Sequence, residues 1–187
     1  MDAYLEIRLL PDPEFMPTLL MNALFNKLHR GLVEQGGNNI GVSFPDVGKK
    51  SRSLGERLRL HGSGTNLAEL MALNWMMGMR DHSVAGTVME VPAHAKPRVV
   101  RRVQAKSNPE RQRRRLIARK GVSLEQAIQA IPDDAMERLK LPYLILTSQS
   151  TGQQFRLFVE HQAIQEQTVV GAFSAYGLSP TATVPWF

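Results

Sequence analysis

The chain has 187 residues, 43% of them hydrophobic and 21% charged, with a formal charge of +6 and no cysteine. That length allows one large domain or two small ones at roughly 100–200 residues each, and the composition supports a packed core and excludes wholesale disorder. The missing cysteine excludes disulfides, thiolate metal sites and a cysteine nucleophile, and it fits a reducing, cytoplasmic setting.

Residues 3–10, AYLEIRLL, set Leu5, Ile7 and Leu9 opposite Glu6 and Arg8, the alternation of a half-buried strand. The opening MDAYLEIRLL lacks the basic-then-apolar layout of a secretion signal. No run approaches the roughly 18 apolar residues of a membrane span. Asp12, Pro13 and Glu14 then form a turn. FMPTLLMNALFNKLHRGLVEQGG predicts a helix, with Leu20, Leu24, Leu28 and Leu32 at helical spacing and Gly36-Gly37 as its stop. NIGVSF and RLRLHG predict the second and third strands, NLAELMALNWMMGM a second helix with Asn66 near its start, and GTVMEVP a fourth strand closed by Pro92. Strand-helix-strand-strand-helix-strand is the ferredoxin-like order, a four-stranded antiparallel sheet with two helices on one face.

We therefore expect an α+β chain with a ferredoxin-like domain over residues 1–92 and a linker at 93–98, where PAHAKPR carries two prolines. A second α+β domain over 99–187 follows. It opens with a short strand near Val99–Gln104, then a basic helix at about 108–120 and a second helix starting at Ser123. LPYLILTSQSTGQQFRLFVEHQ predicts two strands around a polar turn, and the remainder closes in strand and turn.

The charge is concentrated. From His94 to Lys120 there are eleven Lys or Arg residues against one acid, Glu110, a net of +10, while the other 160 residues carry a net of −4. One strongly basic element on a mildly acidic protein suits a local contact with a polyanion. Ser107 and Glu110 have capping-box spacing, with Asn108 as the other candidate cap, and Pro109 suits a first helical turn. Arg111, Arg115 and Arg119 recur at four-residue intervals with Arg114 beside them, a guanidinium stripe that few acids offset. Guanidinium groups grip phosphate oxygens through a planar fork, so the stripe favours nucleic acid. Arg102 and Gln104, two apart in the expected strand, share a face and suit guanine and adenine edges, although two polar residues on an exposed strand are also commonplace.

The five histidines are His29, His61, His82, His94 and His161. None of them has the three- or four-residue spacing of a helical metal site, and paired carboxylates suited to magnesium are not evident. Neither a metal nor another cofactor is expected. If the nucleic acid is RNA and the chain cuts it, the available route uses the RNA's own 2′-hydroxyl, with a group titrating near neutrality as base, and histidine is the residue whose ordinary pKa lies closest. His29 falls at the rim of the first helix's apolar face, where a lone histidine is more often a half-buried structural residue than a catalytic one.

RVQAKSNPERQRRRL, SQSTGQQFRLFV, the helix end KLHRGL, YGLS and VPWF together resemble the CRISPR repeat-cleaving endoribonucleases of type I-F systems. The segment from about Gly48 to Met89 adds no motif. The resemblance implies a stem-loop substrate in precursor CRISPR RNA, cut at the base of the stem, and retention of the product within the type I-F surveillance complex. It also implies that His29 acts as general base, Ser148 positions the 2′-hydroxyl and Tyr176 orients the imidazole. The RNA-binding set it implies is Arg102, Gln104, Ser107, Asn108, Arg111, Arg114, Arg115, Arg119, Ser150 and Phe155. Arg102 and Gln104 would read the lowest base pairs, Phe155 would stack on a base, and the basic helix would follow the phosphates in the major groove. Two other readings compete: a non-catalytic RNA-hairpin-binding protein, and a metal-dependent nuclease.

Overall fold

The computed structural model describes residues 1–48, 53–104, 109–132, 139–149 and 151–187. Its first strand, β1 (Ala3–Leu9), buries Leu5, Ile7 and Leu9 and turns Glu6 and Arg8 outward, as the alternation predicts. Helix α1 (Pro17–Gln35) starts on a proline, which has no amide hydrogen to leave unpaired in the first turn. It ends at Gly36, whose positive φ of 73° lets its N–H reach the Leu32 carbonyl. Leu20, Leu24, Leu28 and Leu32 are all buried.

Strands β2 (Gly41–Ser43) and β3 (Arg57–Gly62) follow, then helix α2 (Gly64–Ala72), β4 (Ser83–Ala85) and β5 (Met89–Glu90). The sheet order is β2-β3-β1-β4, with β5 also on β1, and all of its described pairings are antiparallel. Arg59, buried in β3, donates to Glu6 and to the Phe187 backbone oxygen. Its guanidinium lies 3.7 Å from the Phe187 ring centroid, which ties the last residue to the sheet.

Two expected elements differ. Helix α2 is capped by Ser63, whose hydroxyl accepts from the Asn66 amide, and it stops at Ala72, well short of Met79. Asn74 takes a positive φ of 22° just beyond its end, so the buried Trp75, Met76 and Met79 are packed from turns. The fourth strand is split. Ala85 faces Ile7 and Met89 faces Tyr4, so four steps on the edge oppose three on β1. The extra residue interrupts the ladder in the manner of a bulge.

A second antiparallel sheet contains β6 (Lys96–Val103), β7 (Tyr143–Thr147), β8 (Gln154–Ile164) and β9 (Thr183–Trp186), in the order β7-β8-β6-β9. β6 begins inside the segment expected to be a linker: Lys96 faces Trp186 and Arg98 faces Val184. Leu144, Leu146, Leu157 and Val159 of this sheet join the leucines of β1, β3 and α1 in one apolar core. By contacts the chain divides into two units. One contains Met1–Arg102 and Leu141–Phe187, and the other Val103–Lys140, with helices α3 (Pro109–Lys120) and α4 (Leu124–Ala130). Ser123 caps α4 through a reciprocal capping box with Gln126. Among the described residues, no helix is long and apolar enough to cross a membrane.

Candidate active site and nucleic-acid interface

The larger unit brings together His29, Tyr176, Arg102 and Phe155. His29 lies half-buried near the end of α1. Its Nδ1 is 2.7 Å from the Ala175 carbonyl oxygen. A carbonyl can only accept, so Nδ1 carries the proton, and in the neutral ring Nε2 holds the lone pair. The Tyr176 ring is stacked on the imidazole, with centroids 4.2 Å apart and planes 12° from parallel. Ring and carbonyl together hold the imidazole by one face and one edge.

Tyr176 is held in turn by a tight loop. The Gly177 N–H donates to the Ser174 carbonyl at 2.8 Å and the Ser174 N–H to Leu178 at 2.9 Å. The Gly177 carbonyl accepts from Val42 of β2 at 2.9 Å. Gly177 has a φ of +66°, and an added Cβ would lie 2.5 Å from Val42 Cγ1. The position therefore requires glycine on two counts, backbone conformation and space.

Arg102, near the end of β6, is exposed, and its guanidinium carbon lies 5.7 Å from the Tyr176 ring centroid and 5.8 Å from that of Phe155. Its neighbour Arg101 points to the other face, where Nε meets Glu160 at 2.6 Å. Of this adjacent pair, one guanidinium is matched by an acid and the other rests against two aromatic rings. Gln104, expected to share a strand face with Arg102, lies one residue beyond the end of β6 and is exposed. The ladder stops at Val103, so strand alternation no longer governs it.

Ser148 follows directly on β7. Its N–H donates to the Gln153 carbonyl at 2.9 Å, and its own carbonyl accepts from Gly152 at 2.8 Å, closing the β7–β8 hairpin. It shares the parity of the buried Leu144 and Leu146. Ser107, Asn108 and Ser150 lie outside the described residues.

In the smaller unit, Arg111, Arg114, Arg115 and Arg119 are all exposed on α3. At about 100° per residue they fall within roughly 140° of arc, while Arg113 points to the opposite side. Arg113 is buried, and its Nε donates to the Ile131 carbonyl at 2.7 Å. One arginine of the run therefore fastens α3 to the end of α4. Glu110 in the first turn and Arg119 and Lys120 in the last complement the helix dipole.

Sequence reasoning did not anticipate Asn22 and Asn26, which join α1 to β7, or the Ala175 carbonyl. The Asn22–Asn26–His29 spacing, one helix face, was the available signal for the first two. The other histidines have different surroundings. His61 is fully buried with Nε2 2.8 Å from Ser43 Oγ, and burial, reinforced by nearby Arg59, lowers its pKa to about 3. His161 accepts from the Phe44 N–H at 3.2 Å, and burial, helped by Arg98, likewise lowers it to about 3. Among the described residues, no group of three or more His, Asp or Glu side chains gathers to hold a metal ion.

A family model described as CRISPR-associated protein (Cas_Csy4) matches residues 4–187. The CRISPR-associated endonuclease Cas6/Csy4 of Pseudomonas aeruginosa (strain UCBPP-PA14) is 54% identical over 187 residues, covering 100% of each chain. The protein of the same name from Escherichia coli (strain UTI89 / UPEC) is 49% identical over the same length, again with 100% coverage of both.

Proposed function

The chain belongs to the Cas_Csy4 family of CRISPR-associated proteins, and from that membership and the site's geometry we propose that it is a metal-independent endoribonuclease of CRISPR repeat RNA. It binds the repeat stem-loop in precursor CRISPR RNA and cuts at the base of the stem. His29 Nε2 takes the proton of the ribose 2′-hydroxyl, and O2′ attacks the adjacent phosphorus. The P–O5′ bond breaks, and O5′ takes up a proton. One fragment ends in a 2′,3′-cyclic phosphate and the other begins with a 5′-hydroxyl.

The observation that carries this reading is the imidazole held at Nδ1 by the Ala175 carbonyl and stacked on Tyr176, which leaves Nε2 as the basic nitrogen. In this scheme Ser148 positions the 2′-hydroxyl and Tyr176 orients the ring. Arg102, with Gln104, reads the lowest base pairs, and Phe155 stacks on a neighbouring base. Arg102 resting on both rings supports that grouping. Arg111, Arg114, Arg115 and Arg119 follow the stem phosphates, and Ser107, Asn108 and Ser150 complete the contact set. The βαββαβ order and the β2-β3-β1-β4 sheet support a ferredoxin-like reading of the first domain. The protein works in the cytoplasm, keeps the mature guide RNA, and joins the other subunits of the type I-F surveillance complex.

The test is cleavage of a repeat hairpin in EDTA by the wild type and by His29→Ala. The reading predicts that the wild type cuts, and that the variant binds normally but cuts about 10²–10⁴-fold more slowly. Binding without cutting by either protein makes this a non-catalytic RNA-hairpin-binding protein, and cutting only with magnesium makes it a metal-dependent nuclease.

A further inference from the structure

Among the described residues strand β7 is the edge of its sheet, and alternate N–H groups on its outer side have no strand there to pair with. Two of them are taken up by α1. The Ile145 N–H donates to Asn22 Oδ1 at 3.0 Å, and the Thr147 N–H donates to Asn26 Oδ1 at 3.2 Å. Asn26 Nδ2 donates to the Asn22 carbonyl at 2.9 Å, which fixes the amide so that its oxygen faces the strand. A weaker contact runs from the same nitrogen to the Ile145 carbonyl at 3.5 Å. Helix and strand therefore run side by side in the same direction, joined by two rungs.

The spacing of the rungs matches. Four residues of helix advance about 6.0 Å and two residues of strand about 6.8 Å, close enough for the second rung to form at 3.2 Å beside the first at 3.0 Å. The next polar residue on this helix face is His29, within about 60° of both asparagines on the helical wheel and about 4.5 Å further along the axis. The first residue past the end of the strand is Ser148, about 3.4 Å beyond Thr147 at strand spacing. Slipping the helix by one residue would move His29 by about 1.5 Å along its axis and turn it through about 100°.

We infer that Asn22 and Asn26 are positioning residues for the cleavage reaction: their side-chain amides lock α1 in register with β7 and so set the distance between His29 and Ser148. This rests on the proposed roles of His29 and Ser148. The packed leucines of α1 hold the helix against the core through contacts that are non-directional. The two amides are directional, and a hydrogen bond fails steeply with misalignment. A 1 Å error in placing a catalytic group costs as much as about 10²-fold in rate.

The experiment uses the full chain and a repeat hairpin, with Asn26→Leu, Asn22→Leu, Asn26→Asp and the wild type compared. Leucine keeps most of the volume and removes the acceptor, whereas aspartate keeps the acceptor oxygen. Single-turnover rates at saturating RNA should fall about 30–100-fold for each leucine variant, with hairpin Kd within about threefold and the apparent pKa of the rate profile unchanged. Asn26→Asp should recover to within about tenfold of wild type. Amide hydrogen exchange read residue by residue should show Thr147 losing protection in Asn26→Leu and Ile145 in Asn22→Leu. If the leucine variants lose that protection yet cut at the wild-type rate, the inference is wrong while the endoribonuclease reading stands. If both amides remain protected, the ladder itself is wrong. If the wild type does not cut, the function proposed above has failed, and hydrogen exchange still decides whether the ladder exists.

Discussion

Gly177→Ala perturbs the loop that holds Tyr176 against His29, and its cost follows from two terms. Gly177 has a φ of +66°, a region that a residue with a Cβ occupies at a cost of about 1–2 kcal/mol. The new Cβ would meet Val42 Cγ1 at 2.5 Å and the Ile40 carbonyl oxygen at 3.4 Å. Val42 is β-branched and 0% exposed, so it has little freedom to withdraw, and overpacking adds about 1–3 kcal/mol. Together the two terms amount to about 2–5 kcal/mol. If the loop yields by lifting off β2, the 2.9 Å hydrogen bond from Val42 to the Gly177 carbonyl breaks first. The Ala175 carbonyl and the Tyr176 ring then shift with respect to the imidazole. Urea unfolding measures the stability term, and single-turnover cleavage of a repeat hairpin, expected to slow at least about tenfold, measures the second. A loss below about 0.5 kcal/mol with an undiminished rate would refute both the steric argument and the proposed link from this loop to the histidine.

Three further outcomes are expected. His61 and His161 stay neutral in the fold down to about pH 3 and become charged in the unfolded chain below about 6.5. The unfolded state therefore binds more protons between these values, and stability is full above about 6.5 and falls with acidification by up to about 1.4 kcal/mol per pH unit per histidine. Urea titrations from pH 7 to pH 4 check this, and a flat profile contradicts it. Tyr176 contributes its ring face, so Tyr176→Phe should cut within about threefold of wild type and Tyr176→Ala about tenfold or more slowly in single-turnover assays. Equal rates for all three would show that the stacking is idle. Replacing both Arg115 and Arg119 by Gln should reduce the slope of log Kd against log salt for the hairpin by about 1.4–1.8. An unchanged slope would remove these two side chains from the phosphate track.

Much of the fold was legible because its periodicities are strong. β1 alternates because one face packs on the core and the other meets solvent or Arg59. α1 was legible because four leucines return to one side every fourth residue. The end of α2 was not, because Trp75, Met76 and Met79 are apolar and buried yet lie in turns, so burial continued where the helix did not. The fourth strand misled for the opposite reason: Val84, Val88 and Met89 are apolar on an exposed edge, and the extra residue between β4 and β5 has no hydrophobic signature.

Among the candidate residues of the smaller unit, the arginine stripe was visible in spacing, whereas Arg113, identical in type to its neighbours, faces α4 and shows the difference only in its helical angle. His29 was visible only as a rim histidine. Its partner atoms are a backbone carbonyl at Ala175 and a ring at Tyr176, 146 and 147 positions away, and local patterning does not report such pairings.

The most direct test of the central claim is a repeat hairpin carrying a single 2′-deoxy substitution at the nucleotide whose O2′ would attack. It should bind as tightly as the all-RNA hairpin and remain uncut in EDTA and in magnesium alike, while the unmodified hairpin is cut to a 2′,3′-cyclic phosphate. Cleavage of the substituted hairpin at the same bond would contradict the claim, since the nucleophile would then have come from somewhere other than the RNA.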